Sequence, residues 1–217
     1  MHTNHWLTRQ SLFLSTGAAF FILSMFSIVG LFDAIDLAVM DWVYHSAPAF
    51  LTDAMTVITA FGSVELIALM SLLVLGLLLY QKRIRDMIFF IAVSGGGLAV
   101  NLGLKFLFQR ERPGELNMID AFGIELAIPS YSYPSGHTMR AAILVLLIIY
   151  LLGTWVKGKE QTRLVTLAGL VLLTLVAASR VLTGAHFPTD AVGAVLASVA
   201  FVSLCARIYE KRWRPSP

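Results

Sequence analysis

A single cysteine, Cys205, among 217 residues excludes an intramolecular disulfide and most thiolate metal sites, and leaves that side chain the ordinary role of a small buried hydrophobe. Charge is scarce too. Asp, Glu, Lys and Arg make up 13% of the chain, about half the roughly 25% of a soluble domain, while hydrophobic residues reach 58%. That balance excludes an ordinary soluble globular domain. Repeats, low-complexity tracts and polar linkers are missing as well. The formal net charge of +3 does not point to nucleic acid, because the surplus cations sit in short loops between apolar runs.

What the chain does have is those runs. Six of them, at about 11–32, 55–79, 87–108, 138–156, 164–183 and 189–209, come near the ~20 residues that cross a bilayer as a helix. The expected fold is all-α, a polytopic membrane helical bundle with six transmembrane helices. The lipid bilayer is its partner, and residues 1–217 form one integral membrane domain. The first run, at ~22 residues, exceeds the 7–15 of a secretory h-region and lacks a small-x-small exit site, so it reads as a retained anchor. Eleven of the sixteen Lys and Arg residues lie at helix ends that must share one side: Arg9, Lys82, Arg83, Arg85, Lys157, Lys159, Arg163, Arg207, Lys211, Arg212 and Arg214. That side is cytoplasmic by the positive-inside rule, which places both termini inside and the remaining polar motifs at the outer face.

Those motifs are three. In the first, Lys105 and Arg112 are seven residues apart, which returns to within about 20° of the same helix face, so both cations can reach one anion. Pro113 disfavours helical geometry at Arg112 and leaves the guanidinium at the rim, where its fork of donors suits phosphate oxygens. Each residue taken alone could equally be a cation snorkelling to the interface.

In the second, Pro134-Ser135-Gly136-His137 precedes the apolar run that starts at Ala141, so Ser135 or Gly136 caps the fourth span. A helix start offers unpaired N–H groups and a positive dipole end, and Gly136 lets an oxyanion approach the backbone. His137 in the first turn then stands beside the bound group. Cations around it disfavour its protonation and a bound phosphate restores it, as suits a proton donor to a leaving oxygen.

In the third, Arg180 closes the fifth span, Thr183 and Gly184 break it, and Pro188 occupies the first turn of the sixth, with His186 just outside and Asp190 just inside. A histidine that attacks phosphorus must present one unprotonated nitrogen, and a carboxylate holding the other N–H fixes that tautomer. His186 is the expected nucleophile and Asp190 its orienter, with Arg180 joining Lys105 and Arg112 around the phosphate oxygens. A bare helix cap accounts for either of the last two motifs singly. It does not account for all three on one side of a membrane, where ionisable residues are costly.

The spacing from Lys105 to Arg112-Pro113, the tetrad 134–137, and Ser179-Arg180 followed by His186 and Asp190 resemble the full three-part signature of the type-2 phosphatidic acid phosphatase superfamily. Compact size and six-helix plan are similar to its bacterial membrane members; soluble acid phosphatases and vanadate-dependent haloperoxidases share the motifs. The resemblance implies a phosphatase that needs no metal or other cofactor and works through a phosphohistidine on His186. Asp190 would orient that ring, His137 would protonate the leaving group, and Lys105, Arg112, Ser135, Gly136 and Arg180 would cradle the phosphate. It further implies a lipid phosphate as substrate, with phosphatidylglycerophosphate, undecaprenyl diphosphate and phosphatidate as the options. A phosphotransferase of the same superfamily is one alternative. A transporter of anionic lipids is another, although it leaves the His186–Asp190 pair unused.

Residues outside the motifs carry weaker expectations. Segment 33–53, with Asp33, Asp36, Asp41 and Asp53 but no Lys or Arg, reads as a short amphipathic helix along the outer interface. Segment 114–133 reads either as a cover over the site or as a structural cap. Glu65, inside an apolar run, calls for a partner such as Arg140 or Arg112, and Asn101 for a bond between helices.

Cysteines placed at Asn117 and Gly158 in a Cys205→Ser background test the orientation. A membrane-impermeant thiol reagent applied to intact cells is expected to label the first and spare the second, and the reverse pattern would refute the assigned sides.

Overall fold

The computed structural model describes residues 5–114, 118–121, 124–129, 131–155 and 158–213. Asn117, Lys157, Arg214 and the side chains of segment 115–130, which carry the cover reading, lie outside what is described. Among the described residues five helices are long and apolar enough to cross a membrane: α1 (His5–Ile28), α5 (Ile84–Phe108), α6 (Gly136–Trp155), α7 (Lys159–Leu182) and α8 (Pro188–Trp213). The sixth span is broken. Helix α3 (Ala49–Thr59) runs through a 3-10 turn at Ala60–Gly62 into α4 (Val64–Tyr80), and the pair is bent by 45°. The expected run of 55–79 therefore begins earlier and is interrupted. The break falls where Ser63 caps α4, its hydroxyl accepting the Leu66 N–H at 3.2 Å.

Segment 33–53 also divides: α2 (Asp33–His45) is a helix by itself, and Asp53 belongs to α3. Between α5 and α6 the described residues include a two-stranded antiparallel ribbon of β1 (Met118–Ala121) and β2 (Ile124–Pro129).

Helix α6 is the axis of the bundle. Its residues from Ala141 to Val145, with Leu147, Tyr150 and Leu151, are buried against α5, α7 and α8. Helices α1, α4 and α7 instead expose large apolar side chains such as Phe21, Leu72 and Val171, a surface that only hydrocarbon solvates cheaply. The elements end where local chemistry ends them. Gln109 in the left-handed region (φ 47°) closes α5, Gly184 (φ +73°) follows α7, and Pro188 opens α8.

Close approach at the polar end depends on Gly193 of α8. A Cβ there would stand 2.5 Å from the Tyr133 hydroxyl and 2.6 Å from two of its ring carbons. Tyr133 cannot easily yield, because its ring stacks on Phe20 at 6.0 Å, meets the Phe108 ring edge-on at 5.0 Å and shares a 2.8 Å hydrogen bond with Ser24. Gly193→Ala is therefore expected to destabilise the protein by about 1–3 kcal/mol, as overpacking does, and to lower its unfolding temperature in detergent. An unchanged unfolding temperature would show that the ring moves freely.

Candidate active site

The chain forms the site by ending three helices at one place. Pro113 and the left-handed Gln109 release the chain from α5, the cis Tyr133–Pro134 peptide leads into α6, and Gly184 turns α7 back toward α8. Backbone hydrogen bonds tie the segments together. Ser132 N–H donates to the Arg110 carbonyl at 2.8 Å, and Ser135 N–H to the Asp190 carbonyl at 3.1 Å. Arg112 Nη1 donates to the Ala185 carbonyl at 3.2 Å, and Lys105 Nζ to that of Tyr131.

At the centre lies a buried pair. His186 and Asp190 are 1% and 0% exposed, and His186 Nδ1 stands 3.4 Å from Asp190 Oδ2. The same carboxylate oxygen accepts the Ser132 hydroxyl and, at 2.9 Å, the Phe187 N–H, while Oδ1 accepts Arg110 Nη1 at 2.9 Å. Ser132 Oγ is also 3.2 Å from His186 Nδ1. With its proton on Nδ1 the ring donates to Asp190 and keeps Nε2 unprotonated. Burial is the main reason that the His186 pKa falls, to about 3; Asp190 opposes the fall, and Arg112 and Lys105 add to it.

The second histidine has a different neighbour. Arg140 Nη2 donates to His137 Nδ1 at 3.3 Å, and the same guanidinium holds the Gly62 carbonyl through Nε at 3.2 Å and Nη2 at 3.0 Å. Because Nδ1 accepts, the proton of the neutral ring belongs on Nε2. Glu65 supplies favourable charge to Arg140, which answers its expected pairing. Asn101 reaches both the Pro134 carbonyl (3.3 Å) and Met139 Sδ (3.4 Å), joining α5 to α6.

The cations line one side. Arg180 Nη1 donates to Thr59 Oγ1 at 2.7 Å, while its Nε is buried with no hydrogen-bond partner among the described residues. Burial lowers the Arg112 pKa, against the pull of Asp190. At Gly136 a Cβ would meet Arg140 Nη1 and Asn101 Oδ1 at 3.3 Å and Lys105 Cε at 3.9 Å, so the start of α6, Lys105 and Arg140 share one small space. Ser135, fully buried, accepts Met139 N–H through its carbonyl at 3.0 Å and the Thr138 hydroxyl through Oγ at 3.1 Å, so it caps α6. All eight expected site residues thus lie in the three converging segments.

Sequence reasoning passed over Arg110, Ser132, Thr189 and Asp36. Arg110 lies between the first two motifs and Ser132 just before the second. Asp36 belongs to the segment read as an amphipathic helix along the outer interface; it is 0% exposed and bonded to Arg110 and Thr189. Its one signal is a carboxylate between Ile35 and Leu37.

A family description, PAP2 superfamily, matches residues 83–214, and the chain belongs to that superfamily. It is a hydrolase, a membrane lipid phosphatase. A curated relative, phosphatidylglycerophosphatase B of Bacillus subtilis (strain 168), is 32% identical over 147 residues, covering 66% of this chain and 68% of that protein. The crystal structure of the transmembrane PAP2-type phosphatidylglycerolphosphate phosphatase from Bacillus subtilis superposes with a TM-score of 0.81 at 24% identity, over 95% of this chain and 100% of that one. That of Aquifex aeolicus LpxE gives 0.55 at 19% identity, over 78% and 94%. The two structures establish likeness of fold.

The low pKa of His186 has a direct consequence. A depressed histidine stays neutral as pH falls through the ordinary value of about 6.5 and gains its proton only far below it. Nitrogen shifts of ring-labelled His186 are expected to stay flat between pH 8 and 5, whereas an inflection near 6.5 would contradict its burial.

Proposed function

We propose that the protein removes phosphate from a membrane lipid through a phosphohistidine on His186, without a metal, at the outer face of the membrane. The observation that carries this reading is the buried His186–Asp190 pair set among Lys105, Arg112, Arg180 and the start of α6. With phosphate bound, His137 is the imidazolium, Nδ1 holding a second proton in place of the Arg140 bond; His186 Nε2 attacks phosphorus while the bond to the lipid oxygen breaks, and the imidazolium passes its Nε2 proton to that oxygen. Water then attacks the phosphohistidine, the P–N bond breaks, and His137 takes up a proton from the water. Free phosphate leaves and both rings return to their starting forms. Asp190 holds His186 Nδ1–H and balances the charge that the ring gains.

Lys105, Arg112, Arg180, Ser135 and Gly136 supply the charge and donors that meet the phosphate oxygens. Arg180 Nε, buried without an acceptor among the described residues, is a donor of the kind that costs about 1–3 kcal/mol when unmet, and a phosphate oxygen would satisfy it. Among the described residues no three His, Cys, Asp or Glu side chains cluster as metal ligands would, and cations take that place.

A lipid substrate is favoured by a cavity of about 170 Å³ between α4, α5 and α6. Its walls are apolar, with Ile67, Leu98, Ile143 and Leu144, and it reaches Asn101 and Arg140 beside His137. The name of the Bacillus relative points to phosphatidylglycerophosphate. An outward site equally suits undecaprenyl diphosphate, and the cationic loops at 82–85 and 157–163 are the ground for placing it outward, with both termini inside.

Phosphate release from purified protein, in chelator throughout, tests the reading with phosphatidylglycerophosphate, undecaprenyl diphosphate, phosphatidate and p-nitrophenyl phosphate. His186→Ala is expected to lose about four powers of ten or more on all of them. His137→Ala should lose lipid hydrolysis yet keep a measurable share of aryl phosphatase activity, because p-nitrophenolate departs without a proton. Near-normal turnover by folded His186→Ala, or a requirement for added divalent ion, overturns the mechanism.

A further inference from the structure

The charge network around Asp190 continues past it. Arg110 donates through Nη1 to Asp190 Oδ1 at 2.9 Å and to Thr189 Oγ1 at 2.6 Å, and through Nη2 to Asp36 Oδ2 at 2.7 Å. Asp36 in turn accepts the Thr189 hydroxyl on Oδ2 at 2.5 Å and the Thr189 N–H on Oδ1 at 3.2 Å. The Arg110 guanidinium is also stacked over the Phe187 ring, 4.5 Å from its centroid. One planar cation is thereby held at both ends by carboxylates from α2 and α8.

We propose that Asp36 is a positioning residue for the His186–Asp190 pair and acts on it through Arg110. The inference rests on the reading of His186 as the nucleophile. Asp190 must accept a proton-bearing ring while that ring becomes cationic, and a guanidinium 2.9 Å away competes for its electron density. Asp36 shares the guanidinium, so Asp190 keeps enough negative charge to stabilise the ring. It also fixes where Arg110 sits, since a bidentate cation between two carboxylates has little freedom. Burial works against the charge on Arg110, yet Asp190 and Asp36 together raise its pKa above the ordinary value, so the arm between them is permanently charged. By occupying the first free N–H after Pro188, Asp36 ties the segment that carries His186 to α2, which also meets the turn after α7 through the Tyr44 hydroxyl on the Gly184 carbonyl at 2.9 Å. It reaches neither phosphate nor ring, and its effect is felt in the chemical step.

A double-mutant cycle tests this on the lipid that the wild-type enzyme turns over. Folded Asp36→Asn is expected to lower kcat at least about tenfold, as removal of an outer partner of a working imidazole does, and to leave KM within about twofold because the phosphate cradle is untouched. In an Arg110→Gln background the same change should alter kcat by less than about twofold, since its route is already gone. Asp33→Asn is the control. Its carboxylate is 3.9 Å from Arg110 and half exposed, and it should behave as wild type.

Full additivity of Asp36→Asn and Arg110→Gln, or wild-type kcat in folded Asp36→Asn, overturns the proposal. Should Asp36→Asn not fold, Arg110→Lys carries the test, because an ammonium cannot fork between two carboxylates. Lower kcat at constant KM supports the proposal and unchanged kcat defeats it. His186→Ala assayed alongside separates the two ideas. An active His186→Ala removes the nucleophile assignment itself, whereas an inactive His186→Ala beside a wild-type Asp36→Asn removes Asp36 alone.

Discussion

A carboxylate without solvent must gather donors, and Asp190 gathers them from every part of the site. Ser132 comes from the approach to α6, Phe187 and His186 from the turn before α8, and Arg110 from the end of α5. None of these segments is long enough to fix its own geometry. Each is fixed because leaving the carboxylate short of a partner would cost kilocalories in a low-dielectric interior. The arrangement of the site is thus largely the solution to one desolvation problem, and the pose of His186, the proposed nucleophile, is part of that solution.

Charge balance sets the second constraint. Lys105, Arg112, Arg140 and Arg180 crowd one space and disfavour one another. Asp190 and Glu65 offset part of that repulsion, while Asp36 and Asp190 share Arg110 between them. The residual surplus of positive charge, together with the dipole end of α6, is what a dianionic phosphate group would relieve. Such repulsion inside an apolar bundle is a further ground for the ligand site proposed there.

The break between α3 and α4 belongs to the same design. Gly62 packs against His137 so closely that a Cβ would stand 2.9 Å from the His137 Cβ, and its carbonyl holds Arg140, which in turn faces His137 Nδ1. A straight helix would have spent that carbonyl on its own ladder. The bend frees it to orient the histidine proposed as the acid.

Much of this was legible in one dimension. Long apolar runs announce spans because no other element satisfies its backbone in hydrocarbon, and Pro113, Gly136, Gly184 and Pro188 mark the helix ends because proline and glycine act locally. The motif residues were found for the same reason, each lying within a few positions of such an end. Other features depend on contacts that no local pattern encodes. Asp36 and Asp190 lie 154 positions apart, and only the packing of α2 against the start of α8 makes them partners through Arg110. The ribbon after α5 and the break at Ser63 were likewise hidden, since one sits in a segment of mixed composition and the other inside a run whose overall apolar character outweighs Gly62, Ser63 and Glu65. The sequence alone determined at which helix ends the motif residues lie, and made them the candidates for handling phosphate. Tertiary structure decided which charges neutralise one another, because Coulomb energy in a buried site depends on distances that only the folded chain sets.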